Sequence, residues 1–96
     1  MSNSDPILRI LLVEDDEDDF LITRDLLSDA SPVQTRLSWR DSFEGGIEAL
    51  HSLTVDVALI DLRLGPDSGL DLIRQARDEG ITTPFILLTG QGDYNL

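Results

Sequence analysis

Ninety-six residues with 41% hydrophobic side chains make one small domain with a modest core. Nineteen Asp and Glu against seven Lys and Arg leave a formal charge of −12, which excludes a nucleic-acid surface built from clustered cations and suits a bound cation or a basic protein partner. The chain has no cysteine, so it has neither disulfides nor thiolate metal sites. It also lacks a signal-like N-terminus and any apolar run near the roughly 20 residues that span a bilayer. A cytoplasmic protein without membrane contacts is the expectation.

The chain opens with a nearly unbroken apolar run, Ile7 to Val13, bounded by Pro6 and six consecutive acids, Glu14 to Asp19. A continuous run of this length reads as a strand buried on both faces. The next segment, "DDFLITRDLLSDA", puts Phe20, Thr23, Leu27 and Ala30 on one helical stripe, with Ile22 and Leu26 beside it. Its early acids complement the helix dipole, and Ser31-Pro32 close it. "VQTRLSW" alternates, as an edge strand does. "DSFEGGIEALHSL" carries Phe43, Ile47 and Leu50 at helical spacing, a helix weakened by Gly45-Gly46. "VDVALID" is a second buried strand ending in an acid, Asp61. The loop "LRLGPDSG" leads to a short helix, "LDLIRQARDEG", with Leu70, Ile73 and Ala76 inward and Gly80 as its stop. "TPFILLTG" is a further buried strand.

Strands that alternate with helices form a parallel sheet. With strand 2 at an edge and strands 1, 3 and 4 buried, the strand order 2-1-3-4 fits. Strands 1 and 3 then lie side by side at the point where the chain direction reverses, and ligands bind there beyond the strands' carboxyl ends. Glu14 and Asp15 end strand 1, and Asp61 ends strand 3. Such a cluster can hold a hard divalent cation, and Mg²⁺ suits it. The cation would offset repulsion among acids that otherwise raise one another's pKa. An EF-hand is excluded: counted from Asp15, the sixth position is Phe20 and the twelfth is Leu26.

Three segments in order, "LLVEDDEDD", "VDVALIDLRLGPDSGLDLI" and "PFILLTG", resemble the receiver domain of two-component response regulators over nearly the whole chain. The resemblance implies a flavodoxin-like α/β fold and a role in phosphorelay signal transduction. It implies that Asp61 accepts a phosphoryl group, Mg²⁺-dependently, from a histidine kinase or phosphotransfer protein. Glu14 and Asp15 match the family's metal-anchoring acidic pair, and the backbone carbonyl of Arg63 matches a further metal ligand. Thr89 matches the hydroxyl that contacts the phosphoryl group, beside a small Gly90. An aspartate can form a covalent phosphoryl intermediate, and such transfer needs mainly alignment and charge neutralisation. Self-phosphorylation of this kind is not turnover, so an enzyme in the ordinary sense is not expected.

Other positions take plainer readings. Asp16 reads as an exposed helix-start acid, Asp18 and Asp19 as surface charge, Gly69 as a turn residue, His51 as a surface residue and Trp39 as edge-strand packing. Two departures from the family pattern stand out. Gly65 occupies the place of the family's usual proline, with Pro66 one residue later. The chain also ends at Leu96, past the fourth strand, so the fifth βα unit and its lysine have no counterpart in residues 1–96. This single, C-terminally incomplete receiver-like domain would leave strand 4 as an apolar edge, a template for a homodimer or a source of low stability. The alternative function is a phosphorylation-incompetent receiver-like protein-interaction module. An aspartyl-phosphate phosphatase is disfavoured, because Arg63 stands where such enzymes carry a second catalytic Asp.

Overall fold

The structure, a computed structural model, describes residues 6–30 and 34–89. Strand β1 (Ile7–Val13) leads into helix α1 (Glu17–Ala30), strand β2 (Gln34–Arg40), helix α2 (Phe43–Ser52) and strand β3 (Val57–Asp61). A two-rung antiparallel hairpin follows, β4 (Arg63–Leu64) with β5 (Asp67–Ser68), then helix α3 (Gly69–Asp78) and strand β6 (Phe85–Leu88). The four long strands form one parallel sheet in the order β2-β1-β3-β6, which is the expected 2-1-3-4. β1 runs against β2 from Ile7↔Gln34 to Val13↔Arg40 and against β3 from Ile10↔Val57 to Val13↔Ile60. β3 continues to β6, from Ala58↔Phe85 to Asp61↔Leu88.

The core follows from the two-residue period of the central strands. Leu11 and Val13 of β1, with their β3 partners Ala58 and Ile60, form one cluster with Ala49 and Leu50 of α2 and Leu72 and Ala76 of α3. The alternate residues Ile10 and Leu12 are also buried and belong to the opposite face, where α1 packs over β2. β1 is thus covered on both sides, as a continuous apolar run requires.

The glycine pair in α2 has a packing reason. A Cβ on Gly46 would sit 2.9 Å from Val13 Cγ2 and 3.1 Å from Leu72 Cδ1, so glycine lets α2 approach the sheet and α3 closely. The Ser42 side chain accepts from the Gly45 N–H at 3.0 Å and caps α2, while Ser68 accepts from the Leu70 N–H at 3.1 Å and starts α3. Gly80, at φ +86°, ends α3 as expected.

Three expectations need correction. In α3 the inward stripe is Gly69, Leu72 and Ala76, with Ile73 half-buried, and Leu70 is turned outward. The helix begins at Gly69, which is itself packed against the sheet, and the buried face counts from there. In α1, Phe20, Thr23 and Leu27 of the expected stripe are half-buried, whereas Ile22 and Leu26 lie on the solvent side. β6 is not buried on both faces: among the described residues it is the second sheet edge, as expected for strand 4, and Ile86 is 51% exposed because α1 lies over the other end of the sheet. Ser31-Pro32, Gly90 and the remainder of the C-terminal segment lie outside the described residues. No helix among the described residues is long and apolar enough to cross a membrane.

Candidate functional site

β1 and β3 are adjacent and parallel, so their carboxyl ends open at the same rim of the sheet. One carboxylate oxygen from each of Glu14, Asp15 and Asp61 lies within 4.8 Å of the others. Glu14 follows Val13 directly and is only 4% exposed, the one charged residue in the buried set. Its Oε2 accepts from the Asp16 N–H at 3.2 Å. Asp15 is exposed, and its Oδ2 accepts from the Gly65 N–H at 2.8 Å, fifty residues away. That bond ties the β4–β5 hairpin to the end of β1.

The departure at Gly65-Pro66 makes sense in this hairpin. Gly65 sits at φ +61° and Pro66 is held at negative φ by its ring, so the two-residue turn has its left-handed residue first. Such a turn matches the twist of the flanking strands, and glycine is the residue that takes the first position without strain. Glycine ahead of proline puts the permissive residue at the position with positive φ.

Gly69 has a closer role than that of a turn residue. A Cβ there would stand 2.1 Å from the Asp61 carbonyl oxygen and 3.0 Å from Ile60 Cγ2. Its own N–H donates to the Leu62 carbonyl at 2.7 Å. The start of α3 therefore packs directly on the main chain that carries Asp61. Thr89, exposed, follows Leu88, the β6 partner of Asp61, and so lies at the same rim of the sheet. Arg63 opens the hairpin with its side chain exposed, and its backbone N–H acts on the Asp61 carboxylate. Asp16 caps α1: its Oδ1 accepts from the Asp18 N–H at 2.8 Å and the Asp19 N–H at 3.3 Å. His51 is exposed and pairs with Glu79 at the end of α3.

Negative charge accumulates here. Burial, then the charges of Asp61 and Asp19, push Glu14 up to about 7, although the Asp16 N–H bond opposes the shift. Burial and the nearby Asp15 likewise raise Asp61, against the Glu14 side-chain bond and the Arg63 and Leu62 N–H groups. Among the described residues the ion pairs are Arg24–Asp25, His51–Glu79 and Arg74–Asp71, and none reaches the cluster. Three converging carboxylates, one of them buried and reluctant to ionise alone, fit a hard oxygen-preferring cation such as Mg²⁺.

The pH consequence has a definite sign. Both acids have folded pKa values above their unfolded ones, so the stability they contribute is present at low pH and declines as pH rises; for Glu14 it is complete below about 4.5 and is lost as pH rises through about 7. Without divalent cation Glu14 should cost the protein on the order of 2 kcal/mol between about pH 5 and about pH 8, after allowance for solvent screening, and Asp61 acts in the same direction. Added Mg²⁺ should recover most of that loss at the higher pH and little at the lower. Urea melts at both pH values, with Mg²⁺ and with EDTA, measure the difference.

A sequence profile of the response regulator receiver domain matches residues 10–96. The chain belongs to the response regulator receiver domain family. Among curated relatives, this receiver domain is 33% identical over 84 residues to the transcriptional regulatory protein QseB of Escherichia coli O157:H7. It is 35% identical over 85 residues to the transcriptional regulatory protein CiaR of Streptococcus pneumoniae. Each match covers 88% of this chain but only 37% and 36% of the relative's length, so the chain spans little more than a third of these proteins. Among solved structures, the MaeR response regulator bound to beryllium trifluoride superposes with a TM-score of 0.77 at 27% identity, covering 92% of this chain and 71% of that one. A CheY-like receiver domain from Methylobacillus flagellatus gives 0.75 at 26% identity, covering 90% and 72%. The flavodoxin-like fold that the resemblance implied, with the strand order 2-1-3-4, is the fold observed.

Besides the role of Gly69, sequence reasoning missed two features of the site. One is the contact of Trp39, whose Nε1–H donates to the Glu14 carbonyl at 2.7 Å. The other is the hairpin bond from Gly65 to Asp15. The Gly-Pro dipeptide signalled a turn, but nothing in its neighbourhood pointed to a partner fifty residues earlier.

Proposed function

We propose that this receiver domain accepts a phosphoryl group on Asp61 in two-component signalling, the donor being a phosphohistidine of a kinase or phosphotransfer protein. The convergence of Glu14, Asp15 and Asp61 at the β1/β3 rim carries this reading, together with membership of a family whose standard chemistry is aspartate phosphorylation. An Asp61 carboxylate oxygen attacks phosphorus, an O–P bond forms, and the donor P–N bond breaks as the imidazole leaves and takes up a proton. Glu14, Asp15, Asp61 and the Arg63 carbonyl are the groups that would hold Mg²⁺ here. When bound, the ion supplies charge neutralisation at the transferring oxygens.

The chain's own residues do the positioning. Gly69 seats the Asp61 main chain against the start of α3, and the Gly65 N–H orients Asp15. Thr89 would contact the phosphoryl oxygens through its hydroxyl. The domain is a phosphoacceptor rather than a turnover catalyst, and phosphorylation would bias a conformational equilibrium that a partner protein reads.

The test is intact mass after incubation with a small-molecule phosphodonor, with and without Mg²⁺. A phosphoryl adduct that requires Mg²⁺ is the expected result. A folded protein that binds Mg²⁺ but takes no adduct would instead favour a receiver-like interaction module without phosphotransfer.

A further inference from the structure

The one tryptophan of the chain makes two contacts that a place on an edge strand does not require. Its ring lies flat on Phe20 of α1, with centroids 4.1 Å apart and planes within 3°. Its Nε1–H donates to the Glu14 carbonyl at 2.7 Å. Glu14, Asp15 and Asp16 form the connection from β1 to α1, so Trp39 touches the first residue of that connection and the first turn of the helix that follows it.

The paired register of β1 and β2 ends at Val13↔Arg40. Glu14 lies one residue further, and its N–H still reaches β2 backbone, donating to the Arg40 carbonyl at 3.0 Å. On the next peptide the donor is an indole. The peptide unit is planar, so the Glu14 C=O and the Asp15 N–H turn as one body. A donor fixed on that carbonyl therefore fixes the direction in which the chain leaves Glu14 for Asp15. A phenyl ring at position 39 could supply the stack on Phe20 but not the hydrogen bond; an indole supplies both.

We infer that Trp39 is a positioning residue for the acidic cluster, its indole N–H holding the Glu14–Asp15 peptide in the orientation that brings both carboxylates to Asp61. The inference rests on the reading of Glu14 and Asp15 as cation ligands. It assigns Trp39 no contact with cation or substrate; the residue acts through main chain.

Calorimetric titration with Mg²⁺ of the wild-type domain, Trp39→Phe and Phe20→Leu tests it. Trp39→Phe keeps an aromatic ring against Phe20 and removes the donor, and its Mg²⁺ affinity should fall about fivefold, the effect of one hydrogen bond of ordinary strength. Phe20→Leu removes the stack and keeps the donor; its thermal midpoint should drop while its Mg²⁺ affinity stays within about twofold of wild type. Trp39→Phe with wild-type affinity would overturn the inference, and so would Phe20→Leu losing as much affinity as Trp39→Phe.

A second readout needs no variant. The chain has one indole, so a ¹⁵N-labelled sample gives one indole N–H resonance. That resonance should be protected from exchange in the cation-free protein and should move on the same isotherm as the calorimetric titration. A freely exchanging resonance, indifferent to Mg²⁺, would overturn the inference even if Trp39→Phe failed to fold. A folded wild-type domain that gave no Mg²⁺ binding at all would remove the cation-site reading itself, and the positioning role with it.

Discussion

Asp61→Asn should take no phosphoryl adduct and, at the same time, give a cation-free protein that is more stable than the parent at about pH 8. The first half follows from chemistry, because an amide nitrogen or oxygen is a poor nucleophile where a carboxylate is needed. The second follows from the electrostatics of the rim. Burial and then the charges of Asp61 and Asp19 push Glu14 up to about 7, and Asp61 itself is raised by burial and Asp15. Neutralising position 61 removes one of three carboxylates within 4.8 Å of one another and relieves the repulsion on Glu14. A gain on the order of 1 kcal/mol corresponds to about 4–8 °C in the thermal midpoint of a domain this size. The gain should shrink in Mg²⁺ if, as proposed, the parent holds the ion with its full carboxylate set. Intact mass and thermal melts on the same two samples read both halves. An Asp61→Asn protein that still gained the adduct would move the acceptor elsewhere. One that lost stability without cation would contradict the repulsion described at this rim.

Gly69→Ala should be among the most damaging single-methyl additions in the chain, costing about 3–5 kcal/mol. The added Cβ would meet the Asp61 carbonyl oxygen at 2.1 Å, the Asp61 carbonyl carbon at 3.0 Å and Ile60 Cγ2 at 3.0 Å. Two of these are backbone atoms in a strand paired on both sides, so neither can rotate away as a side chain could. Only a shift of α3 or of the β3 end relieves the clash. Domains of this size have roughly 5–15 kcal/mol to lose, so unfolding in urea should begin at far lower denaturant. Any Gly69→Ala protein that folds should also be slow to phosphorylate, because the residue bearing the proposed acceptor carboxylate has moved. The same substitution at Gly45 is a fair comparison. There the nearest atom is the Ser42 hydroxyl oxygen at 3.0 Å, and turning it aside would cost about the 1 kcal/mol of the cap bond it makes to the Gly45 N–H.

The parts of this structure visible in the sequence were those coded by runs and periods. The bounds of β1 coincide with its apolar run, and the strand order followed from which runs were continuous and which alternated. The convergence of Glu14, Asp15 and Asp61 needed only that order, because adjacent parallel strands end at one rim. What stayed hidden depended on geometry that no local pattern records. Leu70 reads as an inward residue until the helix start is fixed at Gly69, after which the buried face falls on Leu72 and Ala76. Ile22 and Leu26 are chemically fit for a core, and only the seating of α1 turns them outward. The role of Trp39 was hidden for a different reason. A tryptophan on an edge strand packs in any event, and the hydrogen bond that distinguishes this one reaches an atom 25 residues away.

The register of the sheet also constrains how the domain comes together in time. β1 meets residues 27 positions later in β2 and 47 positions later in β3, as Ile7↔Gln34 and Ile10↔Val57 show. No hairpin shortcut joins these partners, so the closure of large loops precedes any reward from pairing, and assembly should be slow beside that of a helical bundle of equal length. Glu14 and Asp61 meet only after the longer of the two loops has closed. A nascent chain or partly folded intermediate that lacks the β1–β3 pairing therefore has the adjacent Glu14 and Asp15 apart from Asp61 and no complete site. If Mg²⁺ binds the full cluster as proposed, it should leave the early rate of folding unchanged and act as a latch that slows unfolding once the centre of the sheet is complete.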